Sequence, residues 1–218
     1  RQVQFEGYEL VEKSVELAMV LRARIIDNPQ LSKYFDVLNV SDFIPESYRK
    51  SGLAEYYDTK LGWNRLEKAW TEDEFVLDPT KITLHIGRTG VDGDTFKNKY
   101  LMDKFNIQIN KTSRNTVLFM TNIGTTRGSV TYLTNALLKI ADELDEEFGA
   151  LNKRESEIRK KRIHSLTEEV PPLPDFSHFH KSFQAVPGVP GGNLREAYFL
   201  AYDEDNYDYI LLVDCLPA

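Results

Sequence analysis

Apolar residues recur along the first part of the chain at helical steps. Tyr8, Val11, Val15, Ala18 and Ile25 follow one another at intervals of three, four, three and seven residues, which places them on one stripe of an α-helix. The stripe predicts an amphipathic helix over 8–25 that packs on a body. Asn28-Pro29 ends it, because the proline ring disfavours helical geometry at the residue before it. From 31 to 54 no period holds. Pro45 and Gly52 punctuate this stretch and Ser41-Asp42 offers a helix cap, so it reads as irregular chain with short helical turns.

At Lys81 the period changes to two. Ile82, Leu84 and Ile86 alternate with polar residues after Asp78-Pro79, the pattern of a half-buried strand. Gly87, Gly90 and Gly93 then mark a loop, and Phe96, Tyr100, Leu101 and Phe105 predict a short helix. After a tight return, Ile107 and Ile109 alternate as a short strand, and Thr116 to Met120 is a β-prone run. Asn122 to Thr126 turns the chain into a helix marked by Val130, Leu133, Leu137, Ile140 and Leu144, with Thr126 or Ser129 as its cap. The polar residues 145–162 continue as a solvated helix. Val170-Pro171-Pro172-Leu173-Pro174 supports neither ladder and reads as a stiff linker. Beyond it, 193–198 opens a short helix and 209–213 forms a strand. No internal repeat is present. Helices alternating with a few short strands give an α/β (α+β) class, a small, mainly antiparallel or mixed sheet covered by helices. The chain divides into a leading helix (1–35), a compact domain (36–165) and a Pro/Gly-rich linker with the start of an extension (166–218).

Composition narrows the class. The chain has 218 residues, 41% of them hydrophobic and 28% charged, enough to bury a core. No uninterrupted apolar run of ~18 residues occurs and the amino terminus lacks a signal pattern, so a cytoplasmic protein is expected. The single cysteine, Cys215, makes no internal disulfide, in keeping with a reducing compartment, and reads as a small apolar filler. A formal charge of −7 argues against nucleic acid or anionic membrane as a partner, since both select positive charge.

Few residues offer local chemistry. Gly87-x-x-Gly90-x-x-Gly93 has the wrong spacing for a dinucleotide loop, and Asp92 and Asp94 lack the rest of a calcium series; a polar turn is the expectation. His178 and His180 share one side of an extended segment, but no third ligand stands near, and His85 and His164 are isolated, so no metal site is expected. The interleaved charges of 153–162 read as a solvated face. Sequons at Asn39 and Asn110 would matter only in a secreted protein.

Several ordered blocks carry a more specific signal: Leu77-Asp78-Pro79-Thr80-Lys81-Ile82-Thr83, Gly90-Val91-Asp92-Gly93, the run Phe105 to Thr112, and the run Val117 to Arg127. Glu6-Gly7-Tyr8-Glu9-Leu10 upstream and Asn193 to Tyr198 downstream extend the pattern, while 152–188 matches weakly. Taken together they resemble the bacterial ornithine/lysine/arginine decarboxylases, which depend on pyridoxal 5′-phosphate and have an aspartate-aminotransferase-like fold. The resemblance implies that this chain is the family's small carboxy-terminal domain with the helix leading into it. It also implies that the cofactor lysine, in a Ser-x-His-Lys setting, lies in an upstream domain. His180-Lys181 repeats the His-Lys pair, but between Pro-rich stretches and after the small-domain blocks, so no covalent attachment is expected here.

Further implications concern partners and contacts. Because the family's active site lies at a dimer interface, a homodimer or larger homo-oligomer is implied, with a basic amino acid as substrate. Related aminotransferases carry a Ser-Gly-Arg-x-Asn passage whose arginine grips the substrate carboxylate. Thr112-Ser113-Arg114-Asn115 resembles it without the glycine, which marks Arg114 as the substrate-facing candidate. Arg127, in the turn before the long helix, is the candidate for an anion or interface contact. No catalytic, cofactor-binding or metal residue is assigned within the chain itself. Two other readings stay open: a non-catalytic assembly or binding module, and an aminotransferase-like small domain.

Overall fold

The computed structural model describes residues 2–55 and 64–168. All of them belong to the first of two units into which the chain divides, Arg1–Val170 and Pro171–Ala218. Helix α1 (Gln2–Ile26) buries Ser14, Val15, Leu17, Ala18, Leu21, Arg22 and Ile25, the helical face predicted from Val15 onward. Tyr8 and Val11, on the same predicted stripe, are 83% and 51% exposed, so the first turns leave their apolar side chains uncovered among the described residues. Asn28 ends the helix as expected and caps the next one, α2 (Pro29–Ser32), by accepting from the Gln30 and Leu31 amides.

The irregular stretch contains β1 (Asp36–Val37), α3 (Val40–Phe43) and a 3-10 turn, Glu46–Tyr48. Asn39 rather than Ser41 stands at the N-cap position, and Asp42 reaches back to its amide with Oδ2 at 2.6 Å. Helix α4 (Asn64–Glu72) follows, and then β2 (Lys81–His85), which pairs along its length with β4 (Thr116–Met120).

The sheet order is β1-β2-β4-β3, every pair antiparallel. Ile82 opposes Phe119 and Leu84 opposes Val117, so four buried side chains form two cross-strand pairs on one face. That face meets Leu21 and Ile25 of α1, Phe96 and Tyr100 of the following helical run, and Val130, Leu137, Ile140 and Leu144 of α7 (Arg127–Ala150). A separate cluster joins Val15, Val40, Ile44, Leu53, Leu66 and Ala69. Three tertiary bonds fix α1 to the sheet and its flanking turns. Buried Arg22 donates to the carbonyls of Pro79, at 2.8 Å, and Lys81, and Thr121 Oγ1 donates to the Ser14 carbonyl at 2.8 Å.

Two expectations from the pattern fail. The helical run comprises α5 (Gly93–Thr95), a π-wound stretch Phe96–Met102 and α6 (Asp103–Phe105), and it closes with Asn106 in the left-handed region, φ 52°. The Ile107 amide is used there, donating to the Leu101 carbonyl at 3.0 Å. Ile107 and Ile109 are therefore not a strand; β3 is Lys111–Thr112. The second failure is the polar continuation of α7. Asn152 accepts from the Glu155 amide at 3.0 Å while Glu155 Oε2 accepts from the Asn152 amide at 3.0 Å. This capping box starts a new helix, α8 (Lys153–Thr167). Its inner row is not solvated: Leu166 is buried, and the Arg159 guanidinium lies 4.4 Å from the Phe148 ring centre and donates to the Thr89 carbonyl.

Candidate functional site

Antiparallel pairing puts the end of β2 beside the start of β4, His85 opposite Thr116. The loop leaving β2 and the loop entering β4 therefore share one end of the sheet, and α8 lies across both. Arg114 sits in the second loop. Its carbonyl accepts from the Gly93 amide at 3.1 Å, and its exposed guanidinium donates to Ser165 Oγ on α8 at 2.6 Å. The neighbouring Asn115 holds three elements together: its carbonyl accepts from the Ile86 amide at 2.8 Å, and its Nδ2 lies 2.9 Å from the Leu166 carbonyl and 3.2 Å from His85 Nε2.

His85, which looked isolated along the sequence, is thus the half-buried centre of this cluster. Burial holds its pKa below the usual imidazole value, with the Leu166 carbonyl pulling the other way. Asp36 Oδ2 stands 3.9 Å from Nδ1, but Asp36 is paired with Arg88, and its charge is largely spent there. Strand alternation signals that His85 lies on the half-buried face; nothing local signals the contacts that Arg114 and Asn115 make with Ser165 and Leu166, because these partners come from 51 residues away in each case.

The glycine loop is filled by protein. A methyl group at Gly87 would stand 2.7 Å from the Leu166 carbonyl oxygen, and at Gly90 2.6 Å from Arg159 Nε. At Gly93 it would stand 2.9 Å from the Thr116 carbonyl oxygen and closer still to that of Ser113. Asp92 caps α5 through the Thr95 amide at 2.9 Å, which holds its carboxyl below the usual range, and Asp94 accepts from Thr112 Oγ1. The glycines therefore admit α8 and the β3–β4 loop, and leave no cradle here for a cofactor phosphate. Among the described residues no group of three His, Cys, Asp or Glu side chains is placed to hold a metal. His178, His180, Lys181, Cys215 and the elements expected over 193–213 lie outside the described residues.

Arg127 is elsewhere. It opens α7, beyond the far end of β4, and the strand separating it from Arg114 is about 17 Å long. It lines a cleft of about 540 Å³ between α1 and α7 with Lys13, Glu16 and Arg24 around a floor of Leu17, Val20 and Val130. Arg24 donates to Thr131 Oγ1 at 2.9 Å. Three cations against one carboxylate suit an anionic group.

No family model and no curated protein matches the chain.

A second concavity, of about 600 Å³, lies between Phe119, the Asn122–Thr125 turn and the first turns of α7. Its polar groups are amides and hydroxyls, and several are already engaged: Tyr132 donates to the Phe105 carbonyl at 2.8 Å, and Asn122 Oδ1 accepts from the Gly124 amide at 2.8 Å. Among the described residues no carboxylate, imidazole or cationic group lines it. Among the described residues no helix is long and apolar enough to cross a membrane.

Proposed function

We propose that this chain is the small carboxy-terminal domain of a pyridoxal-phosphate-dependent decarboxylase that converts lysine, arginine or ornithine into a diamine or agmatine and CO2. The sequence blocks carry the reading, and one observation supports it most directly. Residues 77–127 are not scattered on the surface: they supply β2, β3 and β4, the helical run between them and the start of α7, and they bring Arg114 to the end of the central β2–β4 pair with its side chain exposed.

The glycine loop does not fit the cofactor's phosphate, because it is filled by α8 and by the β3–β4 loop. In this reading the cofactor belongs to the upstream domain, where it would take up the electron pair left when CO2 departs. The work of this chain is coverage and orientation. Arg114 is positioned to meet the substrate's carboxylate side at low strength, which suits a reaction in which that carboxylate leaves: a grip equal in ground and transition states does not raise turnover. A homodimer or larger assembly, cytoplasmic, belongs to the same proposal.

The deciding experiment joins the chain to its upstream reading frame and supplies lysine, arginine and ornithine with pyridoxal phosphate. CO2 and the matching amine in equal amounts are expected. Release of a 2-oxo acid would instead favour the aminotransferase reading, and no turnover by a full-length protein that holds the cofactor would favour an assembly module. The isolated chain, mixed with pyridoxal phosphate and borohydride, is expected to gain no adduct by mass; a stoichiometric adduct at Lys181 or any other lysine overturns the proposal.

A further inference from the structure

The described surface carries a socket and a knob of opposite charge. The socket lies between α1 and α4, a groove of about 690 Å³ lined by Gly7, Tyr8, Val11, Leu66 and Trp70, with Glu12 and Glu67 at its rim. Tyr8 and Trp70 are 83% and 61% exposed. These are the two most exposed of the large hydrophobic side chains among the described residues, and two aromatic side chains left this open beside one groove are costly to keep in water. The knob is on α8. Its inner row, Ser156, Arg159, Ile163 and Leu166, faces the body. On the outer row, Ile158 is 57% exposed and has Arg154 four residues before it, Lys161 three after and Arg162 four after. Of its neighbours at these spacings only Glu155, three before, is acidic, and its carboxylate accepts from the Asn152 amide; the other three are cations edging Ile158 on one helical face.

The two surfaces match in shape class and in charge. One is an aromatic groove lined also by two carboxylates; the other is a helix face with a branched apolar side chain edged by cations. Neighbouring charges are taken, Lys68 by Glu72 at 3.9 Å and Lys160 by Glu157 at 3.1 Å. Among the described residues no ion pair engages Glu12, Glu67, Arg154 or Lys161. We infer that the groove between α1 and α4 takes the outer face of α8 from a second copy of this chain, with Ile158 seated between Tyr8, Val11 and Trp70.

Because socket and knob are different surfaces, the contact is head-to-tail. Each copy keeps one free socket or knob, so growth continues to a closed ring or an open chain instead of stopping at a two-fold dimer. The inference does not depend on the decarboxylase reading, and its test uses the 218-residue chain alone.

Sedimentation velocity over a concentration series reads the assembly. The chain is expected to associate with rising concentration, and more weakly at high salt, since rim charges are screened beyond about 8 Å at physiological ionic strength. Ile158→Glu, which spoils the knob, and Trp70→Ser, which spoils the socket, are each expected to lower the association constant by about tenfold or more, the usual loss for a desolvated anchor. Mixed one to one, the two variants are expected to form a dimer that grows no further, the intact socket of the first holding the intact knob of the second. Glu67→Lys replaces Trp70→Ser if the latter lacks the parent's circular dichroism spectrum. A parent that stays monomeric overturns the inference, as does association unchanged by both substitutions. A mixture that shows no heterodimer overturns it too, and points to a two-fold contact or to a different occupant of the groove.

Discussion

Gly93 has backbone on the side where a side chain would go. A methyl group there meets the carbonyl oxygens of Ser113 and Thr116, which cannot yield without opening the β3–β4 loop, so Gly93→Ala is expected to destabilise by about 1–3 kcal/mol. Gly149, in the last turn of α7, faces open space; there the same change is expected to stabilise by about 0.5 kcal/mol, because alanine costs less to order in a helix. Denaturant midpoints of the two variants should move in opposite directions, and a loss at both would remove the packing argument. His85 supplies a pH signature. Its pKa is lowered in the folded chain, chiefly by burial, so the unfolded chain takes up a proton first as pH falls. Stability is then full above about pH 6.5 and declines as pH drops through that value toward the depressed folded one. His85→Asn should flatten this decline between about pH 7.5 and 5.5. The other histidines are common to both chains and cancel in the comparison; equal slopes would mean that His85 is not held neutral.

Elements whose burial follows one period could be read directly. β2 and β4 each present alternate residues to one buried face, and Val130 to Leu144 of α7 lie on one helical stripe, because a single neighbouring layer covers them. Misreadings arose where a backbone bond outweighed the side-chain pattern. Ile109 is buried yet not in a strand, since the chain leaving Asn106 closes the helical run before a ladder can begin. β1 has only two residues, too few for alternation to show. The α7–α8 break was present as Asn152-x-x-Glu155 but hidden in an evenly polar run. Asn152→Ala should lower stability by about 1 kcal/mol and speed amide exchange in the first turn of α8, while Asn152→Asp, which keeps an acceptor, should not. If both behave alike, the box does not set the boundary. Of the site, the place of Arg114 beside the start of β4 was legible, since Thr116 to Met120 reads as a β-prone run; its substrate contact belongs to the proposed function alone. Asn115, Ser165 and the filling of the glycine loop by α8 were not legible, because each needs contacts from far along the chain.

At the scale of the molecule, α1 is a spine shared by two cores. Leu17, Ala18, Leu21 and Ile25 join the sheet and α7, whereas Val15 joins Val40, Ile44, Leu53, Leu66 and Ala69. The first cluster contains the β2–β4 pairing and much of α7, so its loss removes the platform on which every candidate residue rests. The second ties α3 and α4 to α1 without touching the sheet pairs. Leu84 and Leu66 are equally hidden, 0% and 1% exposed, and either leucine-to-alanine change costs about 2–5 kcal/mol by transfer and cavity terms. Their consequences should nevertheless differ. Leu84→Ala is expected to lower the global unfolding free energy and to weaken amide protection in β2, β4 and α7 together. Leu66→Ala is expected to release protection in α3 and α4 first, with the sheet amides near parental values, because opening the smaller cluster leaves the larger one intact. Native-state hydrogen exchange resolves the two patterns. Uniform loss of protection in both variants would mean that α1 couples the clusters into one cooperative unit, and the socket between α1 and α4 would then be as rigid as the sheet itself.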